Sequence, residues 1–426
     1  MLDWINADGK IVLATKSLRR FSYGFLGVTV AVYLGMLGYD GFTIGIMLTT
    51  AVFGATVLTL VASVVEARLG RKTLLLVFSL LMLLAGVVYA LSTDFVVLLL
   101  AALLGTLNVT GNEFGAFLSL EQSIIPQTCE PRRVTFAYAL YNVFGALAGA
   151  GGALLGGIPD VFQHSFGLSP IDSFKPIFIM YSAVAVAVLV GYARLSVKAE
   201  APRAKGETQL VTPRTRTYLL RMSGFFAVDA LGGSLLIQSI ISYWFFTEFG
   251  VSLIDIGIIF SVAGVLTAAM FLVAARLTEV IGALRTMTFI HVPSDGLLIL
   301  IPFFPNFLAA MVLYLASMAI SQMDVPSRQS YLVSIVEPHE MLATASSTNI
   351  SRNLAQIPGP TLAGYLIQFV SLSAPFTIGG SVRLVNSLAI YLAFRKVPTR
   401  MTTAMPVEEP AGTVRSAGQG SIQTGA

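Results

Sequence analysis

Four ionisable residues lie deep within stretches of sequence that are otherwise apolar. These residues are Glu113, Asp229, Asp324 and Arg352. A charged side chain is costly in hydrocarbon, so each of them needs a partner or a function. A buried carboxylic acid can exchange a proton, because burial favours its neutral form whereas a nearby guanidinium favours its charged form. The pattern predicts that Glu113 or Asp229 exchanges a proton, while Arg352 keeps Asp324 ionised. The alternative is that Asp229 or Asp324 simply pairs with Arg352 to hold helices together.

The stretches that carry these residues are long and numerous. Apolar residues make up 55% of the chain and charged residues 11%, whereas a soluble domain has about 25% charged residues. Runs of about 20 apolar residues can cross a membrane as helices. We predict twelve such spans, at residues 20–39, 43–67, 73–91, 95–125, 133–157, 174–195, 216–246, 253–277, 284–303, 306–334, 340–367 and 374–395. At about 1.5 Å per residue, the four ionisable residues fall near the middle of a hydrocarbon core about 30 Å thick. Amides on these spans are candidates for hydrogen bonds to a solute: Asn108, Asn112, Gln238, Asn349, Asn353 and Gln356.

The Lys and Arg residues indicate how the spans are oriented. Most of the 26 basic residues lie at the termini, in the central linker or in the loops of that same side. By the positive-inside rule, we expect both termini and the linker to be cytoplasmic, in a multi-pass protein of the plasma membrane. The predicted domains are a cytoplasmic N-terminus, a six-helix bundle, a cytoplasmic linker, a second six-helix bundle and a disordered cytoplasmic tail, at residues 1–19, 20–200, 201–214, 215–400 and 401–426.

The chain contains one internal repeat. Gly70 recurs in the second half as Gly282, and Asn142 recurs as Asn349. Further residues around each pair recur with the same spacing as that pair. Two near-constant offsets over half of the chain indicate duplication rather than chance. We therefore expect the two halves to superpose. A membrane protein built from two related halves usually places its binding site where the halves meet.

The loop after the second predicted span, at residues 63–72, carries a recognisable motif. It contains Arg68, Gly70, Arg71 and Lys72, with an acid at Glu66. These residues resemble the signature of the major facilitator superfamily, in which the acid stands one position later. The resemblance implies an all-α integral membrane protein of twelve transmembrane helices, arranged as two pseudo-symmetric six-helix bundles. It also implies that spans 1, 4, 7 and 10 line a central cavity, which rocking of the halves exposes to one side at a time.

Charged residues near the ends of the fourth and tenth spans are predicted to latch this motion. Glu121 and Arg328 occupy equivalent positions in the repeat and carry opposite charges. We expect Glu121 to pair with Arg68 or Arg71, and Arg328 to pair with Glu279, when the cavity is open to the outside. Each such pair near the headgroups is worth about 1 kcal/mol, so these pairs bias the conformation rather than hold the fold.

Two further features are interpreted as structural. Asp295 and Arg383, in the ninth and twelfth spans, are expected to form a pair, because a lone charge there would face lipid. The glycines of the fifth span, within residues 145–157, resemble a motif of proton-coupled drug exporters in the superfamily. We favour close helix packing through small residues as their role.

The combined features favour a secondary active transporter of a small solute, coupled to protons, with export slightly favoured over import. A facilitative uniporter and a non-transporting membrane sensor of the same fold are the alternatives. The sequence lacks a channel filter, an enzyme's nucleophile motif and a phosphate-binding loop. We expect no metal, cofactor or nucleic acid. The expected partners are the solute, protons and the lipid bilayer, and the chain is expected to be a monomer.

Overall fold

A computed structural model describes residues 4–111, 115–130, 133–196, 213–323, 328, 331 and 341–395. These residues form helices joined by short turns and contain no strand. The helices of the first half are α1 Ala7–Met36, α2 Gly41–Leu69, α3 Arg71–Leu91, α4 Phe95–Leu104, α5 Ala116–Ile124, α6 Val134–Leu154, α7 Ile158–Phe166 and α8 Lys175–Ala193. The helices of the second half are α9 Pro213–Ser234, α10 Gln238–Phe249, α11 Leu253–Ile281, α12 Ala283–Leu300, α13 Phe307–Ser321, α14 Met341–Gln356, α15 Gly359–Phe369 and α16 Ala374–Phe394.

Many of these helices can cross a membrane. Within the described ranges, eight helical stretches are long and apolar enough, at residues 41–69, 71–91, 136–166, 172–193, 217–249, 253–270, 283–303 and 374–394. The apolar helices α4 and α13 are shorter, and α4 extends only about 15 Å. The predicted all-helical membrane fold is confirmed, whereas the count of twelve spans stays a prediction.

The internal repeat is visible in the helix boundaries. α2 and α11 begin and end at positions with the same spacing as Gly70 and Gly282, and α6 and α14 begin with the spacing of Asn142 and Asn349. Gly70 separates α2 from α3 at φ 80° and ψ 160°, and Gly282 separates α11 from α12 at φ 87° and ψ 152°. Glycine adopts such a positive φ without strain, which explains why both copies have it. The duplication inferred from the sequence therefore extends to the helices and the turns between them.

The span predicted at 95–125 is interrupted between α4 and α5. Three residues of this segment have positive φ values of 53°, 77° and 112°: Thr106, Gly111 and Gly115. Asn108 Oδ1 accepts hydrogen bonds from Thr110 N at 3.0 Å and from Thr110 Oγ1 at 2.9 Å. Such local bonds compete with helical ones. The prediction of a continuous helix was wrong here. Glu113 lies outside the described residues, so its predicted depth stays a prediction.

Two spans of the second half are also divided. The span predicted at 216–246 ends its first helix at Gly232-Gly233-Ser234, where the Ser234 hydroxyl donates back to Leu231 O at 2.7 Å. α10 begins only at Gln238. The span predicted at 340–367 is split into α14 and α15 just before Pro358, because proline has no N–H with which to continue a helix.

α1 starts well before residue 20, where the sequence predicts the first span to begin. Asn6 caps its first turn by accepting a hydrogen bond from Gly9 N at 2.9 Å. Lys16 and Arg19 are therefore helix residues, with exposed fractions of 3% and 0%. These two residues are not solvent-exposed residues at the end of a span, because other helices of the first half bury them.

The two halves meet near one end of the molecule. We call the side of the turn at residues 37–40 the distal side, and the side of Gly70 the proximal side. On the distal side, α1 packs against α10, α2 against α15 and α6 against α11. On the proximal side, α5 packs against α2 and α3 of its own half. The described helices thus bring the halves together at the distal side and pack within each half at the proximal side.

Candidate functional site

The interrupted spans predicted at 95–125 and 216–246 contact each other at the junction of the halves. Gln238 N donates to Thr110 O at 3.4 Å, and Ser239 N donates to Val109 O at 3.2 Å. The Gln238 side chain donates from Nε2 to Gly24 O of α1 at 3.3 Å. Unwound backbone inside a membrane needs such partners, because hydrocarbon offers none. Gln238, a predicted solute-binding residue, therefore lies in the junction, where its amide contacts α1.

Arg20 lies one helical turn to the proximal side of Gly24. Its Nη1 donates to Gly111 O at 2.7 Å and its Nε donates to Gly145 O at 3.4 Å. Both acceptors are main-chain carbonyls, and no carboxylate of the described part of the chain pairs with this guanidinium. Arg20 thus holds the broken segment of the fourth span against α1 and α6. No sequence pattern indicated this role, because Arg20 resembled one more basic residue flanking a span.

The second half holds a group of charged side chains that we call the Asp229 cluster. Its members are Asp229, Asp295, Arg352, Arg383 and His291. Asp229 of α9 accepts a hydrogen bond from Arg352 Nη1 of α14 at 3.2 Å and lies 3.5 Å from Arg383 Nε of α16. The side chains of Asp229 and Arg352 are 13% and 19% exposed. The observed pair is the alternative that the sequence left open for Arg352. Its predicted partner Asp324 lies outside the described residues.

Arg383 extends the Asp229 cluster into the interior of the half. Its Nη1 lies 3.3 Å from Asp295 Oδ1, and Asp295 is fully buried. Its Nη2 contacts His291 Nδ1 and Ser321 Oγ, both at 3.0 Å. Because arginine only donates, His291 Nδ1 is the acceptor of this hydrogen bond. The predicted pair of Asp295 and Arg383 is confirmed, and the two carboxylates of the cluster balance its two guanidinium groups.

Glu121 is the centre of a second buried group, in the first half. Its Oε1 accepts from Arg19 Nη1 at 2.9 Å, Tyr192 OH at 2.7 Å and Thr15 Oγ1 at 3.2 Å. Its Oε2 accepts from Arg19 Nη2 at 2.6 Å and Tyr141 OH at 2.7 Å. Both charged side chains are 0% exposed. Five donors on two oxygens keep this carboxylate charged and fixed, so Glu121 stabilises α5 against α1, α6 and α8.

The motif loop is fastened within the first half. Arg71 Nε donates to Glu66 Oε1 at 2.7 Å, so the early acid of the motif pairs with this arginine. Lys72 Nζ donates to Leu195 O at 2.7 Å, just beyond the end of α8. Arg68 is exposed. None of these contacts crosses to the second half.

The predicted latches concern a conformation open at the distal side, whereas the halves are joined there. Pairing of Glu121 with Arg68 or Arg71 therefore stays a prediction. In this conformation the Glu121 carboxylate pairs with Arg19 instead. The Arg328 guanidinium lies 5.5 Å from the centre of the Phe226 ring. Several predicted residues fall outside the described part of the chain, namely Asn112, Glu113, Asp324 and the side chain of Glu279. Asn349 of α14 is exposed.

Comparison with known proteins agrees with this architecture. A family model described as Major Facilitator Superfamily matches residues 13–357 and 226–419. An uncharacterized membrane protein of Saccharomyces cerevisiae is 23% identical over 431 residues, covering 93% of this chain and 96% of the relative.

Solved transporter structures are similar in fold. The nucleoside transporter NupG superposes with a TM-score of 0.70 at 15% identity, covering 92% of this chain and 100% of that one. A bacterial homolog of the human lysosomal transporter Spinster, in an inward-facing and occupied conformation, gives 0.68 at 14% identity, with 91% and 96% covered. The human organic anion transporter MFSD10 gives 0.61 at 16% identity, with 90% and 99% covered. At these identities the likeness concerns the fold alone.

Proposed function

The chain belongs to the Major Facilitator Superfamily, and we propose that it moves a small solute across a membrane by alternating access, with protons as the coupling ion. The family and the fold are those of a membrane transporter. The proposal adds the mechanism and the ion. It also retains the orientation expected from the basic residues, in which the proximal side is cytoplasmic, and export as the favoured direction.

The position of the contacts between the halves carries this proposal. On the distal side, Thr361 Oγ1 of α15 lies 2.7 Å from Thr49 Oγ1 of α2, and α1 packs against α10. Each half also has its own ion-pair group, around Glu121 in one and Asp229 in the other. Two bodies that are stabilised internally and joined at one end can separate there and close at the other end. That motion would expose a site between them to each side in turn.

Asp229 is our candidate for the coupled proton among the described residues. Its carboxylate is partly exposed, and a hydrogen bond of 3.2 Å joins it to Arg352. Glu121, in contrast, is fully buried and saturated with donors. Movement of α14 relative to α9 would separate Arg352 from Asp229. This would remove one of the two guanidinium groups that favour the ionised acid, so that Asp229 binds a proton more readily. Glu113 and Asp324 stay candidates on sequence grounds.

The test begins with a solute screen on the purified protein. Solutes that raise its thermal stability at acidic or neutral pH are then tested in proteoliposomes, both for accumulation driven by a pH gradient and for counterflow exchange. We expect Asp229→Asn to abolish accumulation but to retain counterflow, because exchange needs no net proton movement. Asp172→Asn is the matched control, since this exposed acid lies on the distal turn before α8.

The outcomes separate the proposal from its alternatives. Full gradient-driven accumulation by Asp229→Asn would exclude Asp229 as the proton carrier. Counterflow by the wild-type protein without any response to a pH gradient would favour a facilitative uniporter. If solutes bind to the wild-type protein but none exchanges, a membrane sensor becomes the better description.

A further inference from the structure

Two helix caps cross between the halves on the distal side. α2 begins at Gly41, and Gly41 N donates to Gln368 Oε1 of α15 at 3.2 Å. α11 begins at Leu253, and Ile254 N donates to Asp160 Oδ2 of α7 at 3.1 Å. α2 and α11 are copies of each other in the repeat. With the spacing that relates Asn142 to Asn349, Asp160 corresponds to the residue just before Gln368, so the two caps come from nearly equivalent positions.

The packing beside the two caps is also repeated. A methyl group added at Gly45 of α2 would lie 2.5 Å from Pro360 O, and one added at Gly257 of α11 would lie 2.5 Å from Ala153 O. Gly45 and Gly257 are equivalent positions of the repeat, and so are Ala153 and Pro360. Backbones that approach so closely leave no room for a side chain. The distal side is therefore closed by two copies of one structure, which we call the Gln368 seal and the Asp160 seal.

The two seals differ in the chemistry of the capping side chain. Gln368 is neutral at every pH, whereas Asp160 carries a carboxyl group that can bind a proton. We propose that Asp160 is a proton-binding site of the distal seal, and that its deprotonation loosens the seal and favours the conformation open to that side. This inference rests on the proposed alternating-access function, because it needs a second conformation to favour.

The surroundings of Asp160 explain the direction of the effect. Closure of the seal takes the carboxyl group partly out of water, and burial disfavours its charged form. The negative charge of Asp255 acts in the same direction, whereas the hydrogen bond from Ile254 N opposes it without reversing it. Asp160 is only partly buried, so protons can reach it from the distal side. The closed seal is thus most stable when Asp160 is protonated, and it weakens as the pH rises and the carboxyl group loses its proton.

Other charged groups face Asp160 from the elements packed around it. On α7, His164 Nδ1 lies 2.7 Å from Asp160 O. On α11, Asp255 follows the capped residue and adds a negative charge nearby. On the turn before α8, Asp172 pairs with Lys175 at 2.7 Å. His164 and Asp255 are the groups whose titration could imitate that of Asp160, so both enter the test as variants.

The experiment measures distances across both sides of the protein in lipid nanodiscs. Cys129→Ser removes the single cysteine. Spin labels at Leu91→Cys and Phe303→Cys, which are 79% and 68% exposed, report the distal side. Labels at Leu69→Cys and Ile281→Cys, which are 51% and 36% exposed, report the proximal side. We expect acidic pH to shorten the distal distance and to lengthen the proximal one.

Four variants decide whether Asp160 is the group responsible. Asp160→Asn, which resembles the protonated side chain, should lower the distal-open fraction at neutral pH by roughly threefold to tenfold and remove its response to acid. Asp160→Glu should keep the response, which shows that the site tolerates substitution. Gln368→Ala should open the distal side without removing the response, because it weakens only the neutral cap. Gln368→Glu should add a second acid-sensitive cap and strengthen the response.

Two results would overturn the inference. One is an acid response that persists in Asp160→Asn. The other is an acid response that Asp255→Asn or His164→Gln abolishes. If acid, the variants and a bound solute all leave both distances unchanged, the failure belongs to alternating access itself rather than to the proton site.

Discussion

Because Arg19 and Glu121 form a buried ion pair, we predict that replacing one oxygen of Glu121 greatly lowers the free energy of unfolding. Glu121→Gln keeps the size of the side chain but replaces one acceptor oxygen by an NH2 group, which cannot accept. Whichever oxygen is replaced, at least two of the donors around it lose their acceptor, and one of these belongs to Arg19. Removal of one partner from a buried ion pair costs about 3–5 kcal/mol. We therefore expect the free energy of unfolding to fall by about that amount.

The measurement is an unfolding titration with a denaturing detergent in mixed micelles, in which tryptophan fluorescence reports the folded fraction. Glu66→Gln is the matched control, because the Glu66 side chain is 19% exposed in its pair with Arg71. A partly exposed pair contributes at most about 1 kcal/mol. Arg19→Met combined with Glu121→Leu should recover much of the loss, since it removes both buried charges together.

A Glu121→Gln variant whose free energy of unfolding lies within about 0.5 kcal/mol of wild type would contradict this prediction, because the loss would be well below the cost of a stranded buried charge. An equal loss in Glu66→Gln would also refute it, because burial would then not distinguish the two pairs. A fully stable Glu121→Gln variant with altered transport would instead favour the gate role inferred from the sequence.

Other contacts support three further predictions. Gly45→Ala and Gly257→Ala should each hinder closure of the distal side, because the added methyl group would lie 2.5 Å from a carbonyl oxygen. Gly151→Ala is the control, since an added methyl group there has no atom within 4 Å. The distal spin-label distance measures the effect. Arg352→Gln should abolish both gradient-driven accumulation and counterflow, because it removes one of the two guanidinium groups beside the Asp229 carboxylate, and retained counterflow would contradict this. Arg20→Gln should lower the free energy of unfolding by about 1.5–3 kcal/mol through loss of charged hydrogen bonds to main-chain carbonyls, and an unchanged detergent titration would argue against that role.

The overall fold could be predicted because it depends on properties that neighbouring residues share. Long apolar runs must bury their backbone polar groups in helices when they enter a membrane. The repeat placed Gly70 and Gly282 in equivalent turns, and the structure gives both the same unusual backbone conformation. Both inferences can be made without knowing which helix packs against which.

The interrupted spans could not be predicted from the same evidence. Glycine and asparagine occur in continuous membrane helices as well as in broken ones, so hydropathy does not separate the two cases. Asn108 offers local hydrogen bonds, but the broken segment also depends on Gln238 N and Ser239 N, which come from the other half of the chain. The break is therefore a property of the junction as much as of the segment.

The sequence by itself determined that this chain is a duplicated, helical membrane protein with charges buried inside it, because hydropathy, repeat offsets and the cost of a charge in hydrocarbon act on any arrangement of the helices. Only the tertiary structure decided the partners of those charges. Glu121 pairs with Arg19, 102 residues away, and Asp160 caps α11, 94 residues away. Such pairs depend on how each helix is rotated and where it contacts its neighbours. Those relations arise from packing between distant parts of the chain, and no local pattern of residues encodes them.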